Sequence, residues 1–275
     1  MNENETIKKE AEKMLAENLG RIKHKIVIIS GKGGVGKSTV AVNLAYGLAL
    51  QGKKVGILDI DIHGPSIAKM LGIEGKGLSV SNKRAAPIKV YDNLYALTIA
   101  SLIPDSDDPV IWRGPMKMNV IKQFLQDIEW PELDYMIVDS PPGTGDEPLS
   151  VIQIIKDVDG SIIVSTPQDV AFLDARKTIK FSRKLSVPVL GIIENMSGFP
   201  CPHCGKKIEL FQGKGAQKAA VDFGIDILGK IPFDTNIVKT SDIGRPYIYD
   251  YNQAEAAKEM KQIAEKIINK VEVKK

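Results

Sequence analysis

Three sets of residues have the types and spacing to do chemistry. The first is GKGGVGKST, Gly31 to Thr39. It fits G-x-x-x-x-G-K-[ST], the loop whose glycines let successive backbone N–H groups turn inward and cradle phosphate oxygens. Gly31, Lys32, Gly33, Gly34, Val35, Gly36, Lys37, Ser38 and Thr39 are thus the ATP-binding candidates. Lys37 is placed to bridge the β- and γ-phosphates, and Ser38 to ligate Mg²⁺. Lys32 adds a second lysine early in the loop, the deviant form of this motif. Read on its own it also suits a solvated loop lysine.

The second set is acidic. Asp59 and Asp61 close the run VGILDID, and Asp139 closes YMIVD ahead of PPGTGD. Ligands of open α/β sheets collect at the carboxyl ends of strands. Asp139 is expected to hold Mg²⁺ through water, with Asp59 supporting the metal shell. Asp61 is the candidate for orienting the attacking water. Any one of the three also suits a helix cap or a turn. The third set is Cys201-Pro202-His203-Cys204-Gly205. A C-x-x-C-G turn aims backbone N–H groups at sulfur and chelates metal. Zinc and iron–sulfur clusters usually take four protein ligands, and no second pair occurs. A two-fold dimer supplies it, with Cys201 and Cys204 of each copy meeting at the axis. An iron–sulfur cluster, zinc and a redox pair all remain open at this level, and His203 is a weaker ligand candidate.

These sites need a scaffold. KIVIIS (25–30), VGILDID (55–61), NLYALTI (93–99), YMIVDS (135–140), GSIIVST (160–166) and VPVLGIIE (187–194) are continuous apolar runs. Such runs suit strands buried on both faces of a parallel sheet. Helical periods lie between them, at 40–52, 115–128 and 170–185. Alternating strands and helices predict βαβ units and a doubly wound, mostly parallel α/β sheet with helices on both faces. In the last segment, Met260, Ile263, Ile267 and Val271 share one face, which predicts a terminal helix packed on the sheet. Residues 1–24 are rich in Lys and Glu and read as a polar arm or solvated helix. Residues 25–275 read as one ATPase domain with a Cys-bearing insertion around 196–212.

Composition excludes several classes. The 275 residues carry 37 basic and 34 acidic side chains, a net +3, too balanced to argue for nucleic-acid binding. Two cysteines exclude a disulfide framework. No apolar run reaches membrane-spanning length, and the N-terminus does not read as a secretory signal. The expected setting is cytoplasmic, with no membrane or nucleic-acid partner.

Taken together, GKGGVGKST (31–39), DIDIHGPS (59–66), RGP (113–115), DSPPGTGD (139–146), ENMSGFPCPHCG (194–205) and GKIPFD (229–234) resemble the Mrp-type (ApbC-like) P-loop ATPases. These are iron–sulfur cluster carriers of the SIMIBI-type superfamily that includes MinD and the nitrogenase iron protein. The resemblance implies a weak, Mg²⁺-dependent ATPase. It implies that Lys32 reaches the nucleotide of the partner subunit in a homodimer. It also implies that Asn195 hydrogen-bonds adenine, with Pro232 and Phe233 beside the base, and that Cys201 and Cys204 hold a [4Fe–4S] cluster across the dimer. The implied partners are an upstream scaffold as donor and apo iron–sulfur proteins as acceptors. Some relatives carry a further N-terminal domain or four-cysteine cluster; this sequence shows neither, its only cysteines being Cys201 and Cys204, so no second stable cluster is expected here. The competing readings are a MinD- or ParA-like positioning ATPase, a redox ATPase like the nitrogenase iron protein, and an ATPase with zinc at the dimer interface.

Overall fold

The computed structural model describes residues 3–61, 64, 66–81, 84–102, 114–201, 203–211 and 213–273. His63, Pro65, Trp112, Arg113 and Pro202, which belong to motifs quoted above, lie outside the described residues. The strands are β1 (Ile22–Ile29), β2 (Val55–Asp59), β3 (Ser79–Ser81), β4 (Arg84–Ala86), β5 (Ile88–Tyr91), β6 (Leu94–Thr98), β7 (Leu133–Asp139), β8 (Gly160–Ser165), β9 (Val189–Asn195), β10 (Phe199–Pro200), β11 (Lys207–Ile208) and β12 (Ile227–Ile231). The helices are α1 (Glu3–Gly20), α2 (Lys37–Leu50), α3 (Ile67–Met70), α4 (Gly114–Asp127), α5 (Asp146–Ile155), α6 (Ala171–Lys184), α7 (Gly215–Phe223), α8 (Thr235–Asp242), α9 (Tyr247–Asp250) and α10 (Glu255–Glu272).

Among the described residues, eight strands form one sheet in the order β12-β9-β8-β1-β7-β2-β6-β5. All neighbours are parallel except the edge pair β5–β6. Central strands of this kind bury both faces, which is why they read as unbroken apolar runs. One face is covered by α2 and α10, whose Leu44, Leu48, Met260, Ile263 and Ile267 meet Ile26, Ile28 and Ile57 of the sheet. The other is covered by α1, α4 and α5 over Val27, Ile29 and Val138, and farther along by α6 and α7. Each fully buried Leu or Ile contributes about 1.5–3 kcal/mol of transfer free energy. The C-terminal helix therefore fastens on the sheet through Met260, Ile263, Ile267 and Val271, the face its sequence displays.

The ends of some elements depart from the sequence reading. The strand expected from Lys25 starts at Ile22. Its polar residues are satisfied by partners far along the chain: Lys23 pairs with Asp134 at 2.7 Å, and Asp159 receives the backbone N–H of Lys25. The N-terminal segment is a helix that buries Leu15, Asn18 and Leu19, with Asn18 Nδ2 donating to the carbonyls of Leu125 and Gln126 at the end of α4. A Lys/Glu-rich composition conceals so narrow a contact stripe.

Candidate functional site

Parallel register assembles the acidic centre. Asp59 lies opposite Thr98 on one side and opposite Asp139 on the other. The three side chains thus form one lateral row at the carboxyl ends of β6, β2 and β7. Asp59 and Asp139 are wholly buried. Thr98 Oγ1 donates to Asp59 Oδ2 at 3.0 Å, and the Asp61 backbone N–H donates to Asp59 Oδ1 at 3.1 Å. Asp61 itself lies two residues beyond the end of β2, in the loop rather than the strand.

The phosphate loop joins β1 to α2 beside this row. Gly34 and Gly36 adopt φ of +77° and +81°, a region open to glycine. A side chain at Gly36 would also run into the Asn195 amide. Lys37 Nζ donates to Asp139 Oδ1 at 2.6 Å and lies 3.5 Å from Asp61 Oδ2. Ser38 Oγ donates to Asp139 Oδ2 at 2.6 Å. One buried ammonium is therefore within ion-pairing distance of two carboxylates, and an uncompensated buried charge would be strongly destabilising. Burial and then the neighbouring Asp139 push the Asp59 carboxyl up to about 7. Burial also raises Asp139, against the opposing pull of Lys37 and Ser38. A cavity of about 200 Å³ opens over the loop, lined by Lys32, Gly34, Lys37, Ser38 and Asp61 among others.

Lys32 does not extend free into this cavity. Its Nζ donates to Gln168 Oε1 at 3.0 Å, just beyond the end of β8. Asn195, at the end of β9, donates from Nδ2 to the Val35 carbonyl at 2.9 Å and so grips the phosphate loop from the side. The chain beyond Asn195 is stitched to the loop that holds Pro232 and Phe233. Ser197 N–H donates to Ile231 O and Phe233 N–H to Gly198 O, both at 2.8 Å. The Phe199 and Phe233 rings meet edge-on at 5.9 Å.

Two residues past Phe199 comes Cys201. β10 and β11 pair antiparallel around the cysteine turn, with Phe199 opposite Ile208 and Pro200 opposite Lys207. Gly198 adopts φ +87°, a region open to glycine, and packs against the flexible Lys207 side chain. The turn closes through Gly205 N–H to Cys201 O at 2.8 Å and Cys201 N–H to Lys206 O at 2.9 Å, with Gly205 at φ +70°. Backbone N–H groups of His203 and then Cys204 face the Cys201 sulfur and hold its thiol below the ordinary range. Cys201 is half-buried and Cys204 exposed. Two soft thiolate donors with N–H support fit a thiophilic metal or cluster, but among the described residues no group of three or more His, Cys, Asp or Glu gathers that could enclose a metal ion.

The structure thus brings Lys37, Ser38, Asp59, Asp61 and Asp139 into contact and links Asn195 to the phosphate loop. It leaves the cysteines on a separate outward hairpin. Thr98 and Gln168 complete the arrangement without having carried any motif.

A family model described as ParA, NUBPL iron-transfer P-loop NTPase, matches residues 21–268. The chain belongs to this family. It is 51% identical over 261 residues to an iron-sulfur cluster carrier protein of Methanocaldococcus jannaschii, covering 95% of this chain and 89% of that one. It is 46% identical over 252 residues to an iron-sulfur cluster carrier protein of Saccharolobus solfataricus, covering 91% and 85%. Among solved structures, a nucleotide-binding protein of Archaeoglobus fulgidus in complex with ADP, and with cobalt, superposes with a TM-score of 0.76. That protein is 39% identical and covers 86% of this chain and 93% of its own. These findings bear out the P-loop NTPase fold and the family that the motifs suggested. Among the described residues of this family member, no helix is long and apolar enough to cross a membrane.

Proposed function

We propose that this chain is an ATP-binding, slowly hydrolysing carrier that holds an iron–sulfur cluster as cargo between two copies of itself and delivers it to apo-proteins. The observation that carries the reading is the short path between the two chemistries. Asn195 holds the phosphate loop through Val35, and six residues later Cys201 opens the metal-binding turn. Residues 25–275 serve as one nucleotide-binding unit, with 196–212 as its cargo-bearing insertion. The names borne by the two curated relatives support the same cargo.

The residues divide the work as follows. The backbone of Gly31, Gly33, Gly34, Val35 and Gly36, with Lys37 and Thr39, receives the phosphates. Asn195, Pro232 and Phe233 border the base. A hydroxyl and two carboxylates, Ser38, Asp59 and Asp139, form the hard-oxygen set that suits Mg²⁺. When bound, that ion neutralises charge developing on the phosphates. Nucleotide binding draws Lys37 from Asp139 to the phosphates, while Asp61 orients the attacking water. Lys32 gives up Gln168 and reaches the nucleotide of the second copy. Because Asn195 grips the same loop, these exchanges pull on residues 196–200 and change the exposure of the cysteine turn. Two thiolates from each copy complete a [4Fe–4S] ligand set in a reducing cytoplasm, where thiols stay free.

Anaerobic reconstitution with iron and sulfide tests this. The expected result is visible charge-transfer absorbance, one cluster for each pair of chains, and transfer to an apo-ferredoxin. Zinc held in place of iron, with no reconstitution, would replace the carrier by an ATPase with a structural zinc.

A further inference from the structure

The cysteine insertion is fastened at both ends. Its entry is held through Asn195 and the Val35 carbonyl. Its exit, from Gly213 into α7, is seated on the turn that joins β8 to α6. The Gly215 N–H donates to Pro167 O at 3.3 Å and the Lys214 N–H to Asp169 Oδ1 at 3.4 Å. Lys218 Nζ donates to the same Asp169 oxygen at 3.1 Å. The seat is backbone on backbone. A Cβ at Gly213 would overlap the Pro167 carbonyl and the Asp169 nitrogen, and one at Gly215 would overlap the Gln168 carbonyl.

The phosphate loop holds the other side of this turn. Lys32 Nζ donates to Gln168 Oε1 at 3.0 Å. Gly31 lies against Asp174, in the first turn of α6, too closely to admit a side chain. Gln168 thus gives its backbone to the exit of the insertion and its side chain to Lys32. Thr166, which leads into the turn, has a buried hydroxyl with no hydrogen-bond partner among the described residues. An unpaired buried hydroxyl is costly, which favours any rearrangement of the turn that pairs it.

We propose that Gln168 is a positioning residue that ties the place of Lys32 to the exit of the cysteine insertion. With Lys32 on Gln168 the turn is braced, and Gly213 to Lys218 stay seated. When nucleotide draws Lys32 away, the Gln168 amide loses its partner, the turn relaxes and the exit loosens. The proposal rests on the reading that Lys32 leaves Gln168 for nucleotide. It adds a second connection to the one through Asn195, so that nucleotide is felt at both ends of the insertion. Coupling of this kind needs an element whose state both sites bias, and that element is the turn 166–170.

Amide hydrogen exchange over residues 213–217 of the full chain, free of iron, tests this. The Mg²⁺ complex of AMP-PNP should speed exchange at least threefold. Gln168→Leu removes the acceptor and should exchange at the fast rate with or without nucleotide. Gln168→Glu keeps an acceptor and adds a charge opposite to that of Lys32. It should hold exchange slow until at least threefold more nucleotide is supplied. A turn with a merely structural role would be loosened by both substitutions. The proposal is overturned by wild-type exchange that nucleotide leaves unchanged or slows, or by Gln168→Leu exchanging as slowly as the nucleotide-free wild type. It is equally overturned by Gln168→Glu loosening the exit or demanding no more nucleotide than the wild type. Neither iron nor hydrolysis enters the measurement. A chain that builds no cluster can still show the response, and a chain without the response can still build a cluster, so the two readings fail separately.

Discussion

The strand-end site and the cysteine hairpin are built in opposite ways. Asp59 and Asp139 are wholly buried, sit in a register fixed by neighbouring strands, and have each observed hydrogen bond made within the chain. Cys201 and Cys204 stand in the turn between two strands of two residues each, and Cys204 faces solvent. An isolated two-stranded hairpin is marginal in water. A centre that must fix charges within tenths of an ångström belongs in a close-packed sheet. A centre that must surrender its cargo belongs on an element that little else depends on.

That contrast can be broken at several points. The largest effect is expected from Cys201→Ala with Cys204→Ala: complete loss of iron on reconstitution, with ATP affinity changed less than twofold by equilibrium dialysis. A large loss of ATP affinity would show that the hairpin is part of the nucleotide site. Lys32→Ala should lower ATP hydrolysis about 10³-fold, the scale of a charge supplied across an interface, with little change in nucleotide affinity. Unchanged turnover would return Lys32 to a role within its own chain, on Gln168. Lys37→Met leaves Asp139 without its cation and should lower nucleotide-free stability by about 3–5 kcal/mol in urea unfolding. Gly198→Ala should cost about 1–3 kcal/mol locally. It would be read as faster cluster loss at unaltered ATP affinity.

A smaller effect separates Asp59 from its neighbours by pH. Its carboxyl is raised in the fold to about 7, against about 3.9 in an unfolded chain. The stability it contributes is full below the unfolded value and is lost as pH rises through 7. Metal-free protein should therefore melt progressively earlier between pH 4 and 8, and Asp59→Asn should flatten that dependence. A parallel slope in wild type and variant would assign the titration to another group.

The parts of the molecule legible in the sequence were the local ones. GKGGVGKST declares itself because a phosphate nest is made from consecutive residues. The apolar runs ending in Asp59 and Asp139 mark strand ends for the same reason. Thr98 stood outside that reading, since its place beside Asp59 is set by lateral pairing of two strands and not by any spacing along the chain. Gln168 is 136 residues from the lysine it holds. The docking of α1 was equally hidden, because few of its residues turn inward. Partners supplied by tertiary structure leave no periodic trace.

The row of Thr98, Asp59 and Asp139 also sets a tolerance for length. Side chains alternate faces at every residue of a strand, so removing one residue between Val55 and Asp59 would reverse the phase of everything after it. The carboxylate would then point into the layer opposite its present one, among aliphatic side chains. Residues can be gained or lost in the turns that enter these strands, where the phase is reset. Within the strands the count is fixed, and the chain measures out its acidic centre by parity.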